Sequence, residues 1–153
     1  MIERVYIAIG SNLGDRRANC TQAIANISRI PSVRVVKISS LYETEPWGVR
    51  DQPNFINCAV EAETSCDPRT LMSILKNIEA DMGRKDGPKW GPRVIDFDII
   101  FYGSRIIKED DLVIPHPHAH ERSFVLTPLI EIEPGLMHPI LKKTVSELVS
   151  RMG

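Results

Sequence analysis

The stretch LYETEPWGVRDQPNF at residues 41–55 decides the fold class, because it joins two strand-like segments and leaves no room for a helix. Pro46, Gly48 and Pro53 interrupt any helical pattern in it, since proline lacks an amide hydrogen and glycine is a poor helix former. Parallel neighbouring strands need a long crossover connection, usually a helix. Residues 43–53 are therefore predicted to be a loop, and the stretch favours an antiparallel sheet over a parallel doubly wound one.

The segments before this stretch predict a strand, a helix and a second strand. Residues 3–9 are a short apolar run of the kind found in buried strands. Cys20, Ile24 and Ile27 then recur at helical spacing, and residues 33–41 are rich in strand-forming side chains.

The segments after it continue the pattern. Residues 55–63 alternate between an apolar face and a mixed face, which indicates a strand. Asp67 followed by Pro68 predicts a helix start, and Gly83 predicts its end. Later patterns predict strands at residues 94–101 and 112–114 and helices at residues 124–131 and 144–152. The order β-α-β-β-α-β predicts an α+β fold, an antiparallel sheet with helices packed on it, in one domain of residues 1–153.

Composition excludes several classes of protein. The 19 basic and 20 acidic residues nearly cancel, so attraction to nucleic acid or to an anionic membrane through overall charge is not expected. No apolar run approaches the ~20 residues of a membrane helix, and the N-terminal residues do not resemble a signal peptide. Three cysteines without a CxxC pair argue against a disulfide framework. A reduced, cytoplasmic protein is the expectation.

Asp96 and Asp98 are the first candidate site residues. Both stand on one face of the strand predicted at residues 94–101, with their backbones roughly 6.5–7 Å apart. The opposite face is wholly apolar and is predicted to be core: Ile95, Phe97, Ile99 and Phe101. Two carboxylates that converge on one point repel unless a cation lies between them, and oxygen ligands suit Mg²⁺ or Mn²⁺. The alternative is a solvated outer face with two ordinary aspartates.

The segment at residues 83–93, just before this strand, has a strongly positive local charge. It holds four cations and one acid in a chain whose net charge is −1, together with three glycines and two prolines. Cations on a glycine-hinged loop beside a metal site suit the binding of a polyphosphate, because arginine contacts phosphate through two donors at once. The alternative is a solvated basic loop.

Two further clusters hold candidate residues. His116, His118 and His120 have a spacing that suggests zinc, but the prolines on either side of His116 argue against a regular strand, and a role for His116 and Arg122 as phosphate donors is favoured instead. Phe55 and Asn57 share a strand face, where an aromatic ring beside an amide suits a flat heteroaromatic ligand. The alternative places Phe55 in the core and Asn57 at a turn.

These motifs, in this order and spacing, resemble the 6-hydroxymethyl-7,8-dihydropterin pyrophosphokinase family of folate biosynthesis. The resemblance runs from about Val5 to Leu129, and the block W-G-P-R-x-I-D-x-D at residues 90–98 is its most specific part. It is supported by the segments GSNLG at residues 10–14, DQPNFIN at residues 51–57 and PHPHAHERSF at residues 115–124. It implies a ferredoxin-like fold and the transfer of pyrophosphate from ATP to the pterin hydroxymethyl group, with release of AMP.

The resemblance also implies the residues of the site. The catalytic residues it implies are Arg84, Arg93, Asp96 and Asp98, with Asp96 and Asp98 holding two Mg²⁺ ions. The ATP-binding residues it implies are Glu79, Arg84, Trp90, Arg93, Ile99, His116 and Arg122. The pterin-binding residues it implies are Thr44, Trp47, Phe55, Asn57, Asp96 and Phe124, the two phenylalanines enclosing the ring.

The expected partners are therefore small molecules, ATP and the pterin, and the chain is expected to act as a monomer without nucleic acid or membrane. Two other functions stay open from the residues alone. A zinc hydrolase built on the three histidines predicts bound zinc. A non-catalytic regulatory module with a ferredoxin-like fold predicts ligand binding without turnover of ATP.

Overall fold

Residues 2–46, 51–83 and 93–152 are described by the computed structural model, so Trp47, Arg84 and Trp90 lie outside the described residues. The strands in these ranges are β1 (Glu3–Ser11), β2 (Val33–Ile38), β3 (Tyr42–Thr44), β4 (Phe55–Thr64), β5 (Asp96–Tyr102), β6 (Ile107–Glu109) and β7 (Leu112–Ile114). The helices are α1 (Arg16–Ser28), α2 (Pro68–Asp81), α3 (Ser123–Ile132), α4 (Val145–Ser150) and a short 3-10 helix (Ala119–Glu121).

The main sheet is antiparallel and has the strand order β2-β4-β1-β5. Strand β3 pairs with β4 beyond the end of β2, so both lie along the same edge of β4. Helices α1 and α2 connect the strands in the β-α-β-β-α-β order of a ferredoxin-like fold, to which β3 is an addition. The predicted α+β class and antiparallel pairing are confirmed.

Helices α1 and α2 cover one face of the sheet. Their buried side chains include Cys20, Ile27, Leu71 and Leu75, and they pack in one cluster with strand residues such as Ile7. Helix α2 begins where the sequence predicts, because the Asp67 carboxylate accepts a hydrogen bond of 2.9 Å from the Thr70 amide. It ends at Asp81, two residues before Gly83, whose φ of +95° lies in the left-handed region that favours glycine.

Helices α3 and α4 cover the other face with a second apolar cluster. Leu126, Leu129 and Leu148 lie there against Ala59 and Ile100 of the sheet. Neither cluster includes Asp96 or Asp98, which are half-buried at the start of β5. None of the helices in the described ranges is long and apolar enough to cross a membrane.

The sequence pattern places one core residue on the wrong face of β5. Phe101 packs in the α3–α4 cluster, whereas Ile95, Phe97 and Ile99 pack in the α1–α2 cluster. The register explains the difference: Ile7 pairs with Ile99 but Tyr6 pairs with Phe101, so Ile100 is an extra residue in β5. Such a bulge ends strict alternation, and Phe101 therefore joins Ile100 on the face that Asp96 and Asp98 share.

Two strands are absent from the sequence prediction. Residues 43–53 are predicted as a loop, yet Tyr42–Thr44 forms β3, and Ile107–Glu109 forms β6 of a hairpin with β7. Each has three residues, which is too short for alternation to be visible in the sequence. Strand β3 depends on pairing with the long strand β4, and β6 depends on pairing with the adjacent strand β7.

His138 is a buried titratable residue of the α3–α4 side. Its Nδ1 accepts hydrogen bonds from the amides of Ile140 (3.2 Å) and Leu141 (3.1 Å), so the neutral ring carries its proton on Nε2. Phe101 contacts the ring edge-on, with 5.6 Å between centroids. Burial lowers the pKa of His138, and the charge of His120 acts in the same direction.

We expect His138→Asn to flatten the pH dependence of stability. The pKa of His138 is lower in the folded state than in the unfolded chain. The stabilisation that the neutral ring provides is therefore complete above pH ~6.5 and is lost as the pH falls. Asparagine keeps an acceptor for the two amides and removes the titration. Urea unfolding at pH 7.5, 6.5 and 5.5 should show a smaller slope for the variant, by at most about 1.4 kcal/mol per pH unit. Parallel curves for the two proteins would contradict this.

Candidate active site

One row of residues across the sheet organises the site. Gly10 on β1 pairs with Asn57 on β4 and with Asp96 on β5. Directly opposed residues of antiparallel strands point to the same face, so Asn57 and Asp96 flank Gly10. In the next row Ala8 separates Ala59 from Asp98 in the same way. The middle strand therefore offers its smallest residues between the amide of β4 and the carboxylates of β5.

Gly10 leaves room for two neighbouring side chains. A Cβ atom at this position would lie 2.8 Å from Asn57 Oδ1 and 3.3 Å from Phe55 Cδ1. Any larger residue would therefore displace the carboxamide and the ring. The absence of a side chain allows both groups to lie across β1 beside the start of β5.

Thr44, Phe55 and Asn57 come together as the sequence predicts. Thr44 of β3 pairs with Phe55, and its hydroxyl oxygen accepts a hydrogen bond from Asn57 Nδ2. Phe55 is half-buried and belongs to neither apolar cluster, so its ring is not a core residue. Together with Gly10 these residues form what we call the Asn57 cluster.

Glu79 connects helix α2 to the start of β5. Its side chain is buried, and Oε2 accepts a hydrogen bond of 2.8 Å from the Phe97 amide, between the two aspartates in sequence. The backbone that carries Asp96 and Asp98 is therefore fixed to the helix behind it.

A cavity of about 370 Å³ opens beside these carboxylates. It brings together five of the predicted residues, Glu79, Asp96, Asp98, Ile99 and His116. Its wall is completed by α2 and by the β6–β7 hairpin. Arg69 of α2 binds both Glu109 and Asp111 of that hairpin, with 2.8 Å from Nη2 to Asp111 Oδ1, and so holds the hairpin against the helix.

His116 faces the cavity as a neutral donor. The amide of His118 donates to its Nδ1 at 3.2 Å, so Nε2 carries the proton, and Nε2 lies 3.8 Å from Asp98 Oδ1. Burial lowers the pKa of His116 to about 4, and the nearby charge of Arg122 acts in the same direction. At neutral pH the ring can donate one hydrogen bond from Nε2, and its other nitrogen is already used.

Arg122 is a buried cation close to Asp96 and Asp98. Burial lowers the pKa of its guanidinium, and the charges of Asp98 and Asp96 oppose this shift. Its Cζ lies 5.6 Å from the centre of the half-buried Phe124 ring, a cation–π contact at the start of α3. The positive charge of Arg122 thus interacts both with the two carboxylates and with an aromatic ring.

Arg93 enters the site through its backbone. Its amide donates to Asn12 Oδ1 at 2.8 Å, and its carbonyl accepts from the Asn12 amide at 3.0 Å. These bonds fix residue 93 beside the end of β1, next to the row that contains Gly10.

Comparison with known proteins agrees with this geometry. The family model of 7,8-dihydro-6-hydroxymethylpterin-pyrophosphokinase (HPPK) matches residues 6–134, which include the described residues named above. The chain belongs to the HPPK family.

The relatives of this HPPK-family chain include a pyrophosphokinase of similar length and a much longer bifunctional protein. It is 41% identical over 143 residues to the 2-amino-4-hydroxy-6-hydroxymethyldihydropteridine pyrophosphokinase of Aquifex aeolicus, covering 94% of this chain and 88% of the relative. It is 50% identical over 128 residues to a mitochondrial folate synthesis bifunctional protein of Arabidopsis thaliana, covering 84% of this chain and 23% of the relative.

Solved structures agree in fold. The chain superimposes on Plasmodium falciparum HPPK-DHPS with pteroate at a TM-score of 0.79 and 16% identity, covering 99% of this chain and 42% of the other. The chain thus spans less than half of that bifunctional protein.

His116, His118 and His120 of this HPPK-family chain have different orientations and different partners. His118 Nδ1 lies 3.1 Å from Glu121 Oε2, and His120 Nε2 lies 3.7 Å from Glu121 Oε1, whereas His116 turns toward Asp98. Among the residues the structure describes, no group of three His, Cys, Asp or Glu side chains could hold a metal ion. The arrangement on which a zinc hydrolase depends is therefore missing in that part of the chain.

Sequence reasoning missed three residues that support the site. The role of Gly10 depends on strand register, and that of Asn12 on contacts with residues far along the chain. Glu131 of α3 accepts hydrogen bonds from the Ser40 amide at 2.9 Å and the Tyr42 hydroxyl at 2.5 Å, and so ties α3 to the beginning of β3. The GSNLG segment was a signal for the first two, whereas nothing local marks Glu131.

Proposed function

We propose that this chain transfers pyrophosphate from ATP to the hydroxymethyl group of 6-hydroxymethyl-7,8-dihydropterin, a reaction of folate synthesis. The hydroxyl oxygen attacks the β-phosphorus, the bond from that phosphorus to the oxygen shared with the α-phosphorus breaks, and AMP leaves. The hydroxyl proton passes to solvent. The observation that supports this best is the row in which Gly10 places the Asn57 cluster next to Asp96.

The Asn57 cluster suits the pterin. A pterin is a flat heteroaromatic ring with donors and acceptors along its edge. Phe55 offers a ring face for stacking, and Asn57 offers an amide whose orientation is set by its bond to Thr44. Phe124 at the start of α3 is the proposed second ring of the enclosure, and Trp47 is proposed for the same pocket.

Asp96 and Asp98 fit a site for Mg²⁺. Both are carboxylates on one face, half-buried, and open to the same cavity, which is the oxygen-rich donor set that Mg²⁺ prefers. Two ions here are proposed to be held by these two residues together with phosphate oxygens. When bound, Mg²⁺ supplies positive charge for the phosphate oxygens and the acceptor hydroxyl.

The cationic and hydrogen-bonding residues near the cavity suit the phosphates. His116 can donate from Nε2, and Arg122 can add charge at a buried position. Arg93 is proposed to contact the transferred group, with Arg84 and Trp90 from the same segment. Glu79 and Ile99, which line the cavity, are proposed to lie along the nucleotide.

Positioning and charge, rather than a strong base, are proposed to accelerate the reaction. His116 is not suited to take the proton, because its Nδ1 is occupied by the His118 amide and its Nε2 already bears hydrogen. Asp98 can orient the acceptor hydroxyl at most. Phosphoryl transfers need little covalent help from the protein, so alignment and charge stabilisation account for the rate.

The wider setting is also part of the proposal. Residues 1–153 are proposed to act as one domain and as a monomer in the cytoplasm, on small-molecule substrates alone. The pyrophosphokinase of Aquifex aeolicus, 88% of which the chain covers, supports the assignment of this reaction to one domain.

A coupled assay for AMP tests the function directly. The chain is supplied with ATP, MgCl₂ and 6-hydroxymethyl-7,8-dihydropterin, and AMP and ADP are separated and measured. AMP formation that depends on the pterin is expected. Formation of ADP would refute pyrophosphoryl transfer, and binding of the pterin without any nucleotide product would support the non-catalytic module.

We expect Asp96→Asn and Asp98→Asn each to lower the rate of AMP formation by about 10²-fold or more, because the removed charge is needed at the reacting phosphates. Pterin binding, measured by calorimetry, should persist. Asp81→Asn, an exposed position of α2, is the matched control and should turn over normally. Near-normal turnover of either site variant would overturn the metal assignment.

Arg93→Ala should lower kcat by a larger factor than it raises KM for ATP. This pattern is expected if the guanidinium contacts charge that develops in the transition state. The matched control is Arg105→Ala, which removes an arginine whose Nε lies 3.0 Å from Glu3 Oε2, away from the cavity. An increase in KM at constant kcat would mean that Arg93 serves ground-state binding.

Gly10→Ala should raise KM for the pterin by at least about tenfold, because the added methyl displaces Asn57 and Phe55. KM for ATP should change little. Gly103→Ala is the control for a general loss of stability, since Gly103 lies in the turn that follows β5 and has a φ of +55°. It should lower the melting temperature and leave both KM values unchanged. Equal effects of Gly10→Ala on the two KM values would contradict the assignment of the pocket.

A further inference from the structure

Asn12 has a denser set of contacts than its position in a turn requires. It follows β1 directly and is 1% exposed. Its Oδ1 and its own amide bind the backbone of Arg93, at 2.8 and 3.0 Å. Its Nδ2 donates to Gln52 Oε1 at 2.9 Å and to the Pro53 carbonyl at 3.0 Å. Four hydrogen bonds thus connect one buried residue to two segments that are 40 residues or more away in sequence.

The two segments belong to the two halves of the proposed site. Pro53 lies two residues before Phe55, at the entry to the strand of the Asn57 cluster. Arg93 lies three residues before Asp96, on the phosphate side. The first segment follows residues 47–50 and the second follows residues 84–92, which lie outside the described residues. The residues that Asn12 contacts are themselves described.

We propose that Asn12 is a positioning residue that fixes Arg93 relative to the pterin pocket, so that the arginine acts on the pyrophosphate while the acceptor is held in line. This rests on the function proposed above. Asn12 contacts neither substrate in this assignment and acts through the backbone of Arg93. A displacement of about 1 Å in a group that must meet a transferring phosphate is enough to lower the rate markedly.

The chemistry of the carboxamide favours this assignment over a purely structural one. A primary amide both donates and accepts, and here the accepting oxygen serves one segment while the donating nitrogen serves the other. A residue that only closed the turn would need local partners. Asn19 provides that comparison: it lies in the first turn of α1, and its Nδ2 donates to Ser11 Oγ and to the Leu13 carbonyl, eight and six residues away.

The substitution Asn12→Asp keeps the side-chain contact with the Arg93 segment and disturbs the contact with the Pro53 segment. The aspartate keeps an oxygen for the Arg93 amide but presents a second oxygen to Gln52 and to the Pro53 carbonyl. The Gln52 amide can rotate to donate, whereas the carbonyl cannot, so the Pro53 contact becomes repulsive. Gln52→Ala removes one partner of the same connection without altering Asn12.

The decisive test compares Asn12→Asp in two backgrounds by single-turnover measurement of AMP. With Arg93 present, we expect the rate to fall about tenfold or more, with KM for ATP changed less than about twofold. With Arg93→Ala, the same substitution should lower the rate by less than about twofold further, because its effect passes through the missing guanidinium. Gln52→Ala should act in the same direction and more weakly.

The controls separate the possible failures. Asn19→Ala should lower the melting temperature and leave the rate unchanged. The proposal would be overturned if Asn12→Asp lowered the single-turnover rate by the same factor with Arg93 and with Arg93→Ala. It would also be overturned if folded Asn12→Asp protein formed AMP as fast as Asn19→Ala. If Asn12→Asp does not fold, Gln52→Ala and its Arg93→Ala double variant decide by the same comparison. Failure of the unmutated chain to form AMP would instead refute the proposed function.

Discussion

The register of β1 between β4 and β5 is the constraint on which the site depends. Gly10 pairs with a residue on either side, and those two pairings place Asn57 and Asp96 on one face of the sheet. A shift of one residue in either ladder would turn one of them to the α1–α2 face, among apolar side chains. Such a shift would also turn Ile56 of β4 or Phe97 of β5 out of the α1–α2 cluster, and their burial there opposes it. The core thus holds the polar row in place.

The second face of the sheet is divided between packing and chemistry. Toward one end it is covered by α3 and α4, and toward the other it carries the amide, the carboxylates and the cations. Arg122 and Phe124 lie at the boundary, where α3 begins. Glu131, two turns further along, ties this helix to β3, so the same helix that completes the core also fixes an edge of the candidate pterin pocket.

Local sequence patterns were sufficient for the long elements and for the paired aspartates. Alternation in β4, the Asp67 cap and the spacing of Asp96 and Asp98 are properties of neighbouring residues, and the structure agrees with each. The resemblance added residues such as Glu79 and His116, which the fold brings to one cavity. The bulge at Ile100, the three-residue strands and the contacts of Asn12 were not predictable, because each is set by a partner distant in sequence.

The position of β1 in the sheet also has a consequence for how the chain is made. Strand β1 is synthesised before both of the strands that flank it in the sheet, β4 and β5. The backbone groups of β1 that pair with β5 do not all have their partners until Tyr102 has been added. The pairing between Val5 and Tyr102 closes one of the longest loops in the sheet. Non-local pairing of this kind slows folding and exposes strand edges meanwhile. Nearly two thirds of this HPPK-family chain must therefore be synthesised before its two half-sites can face each other.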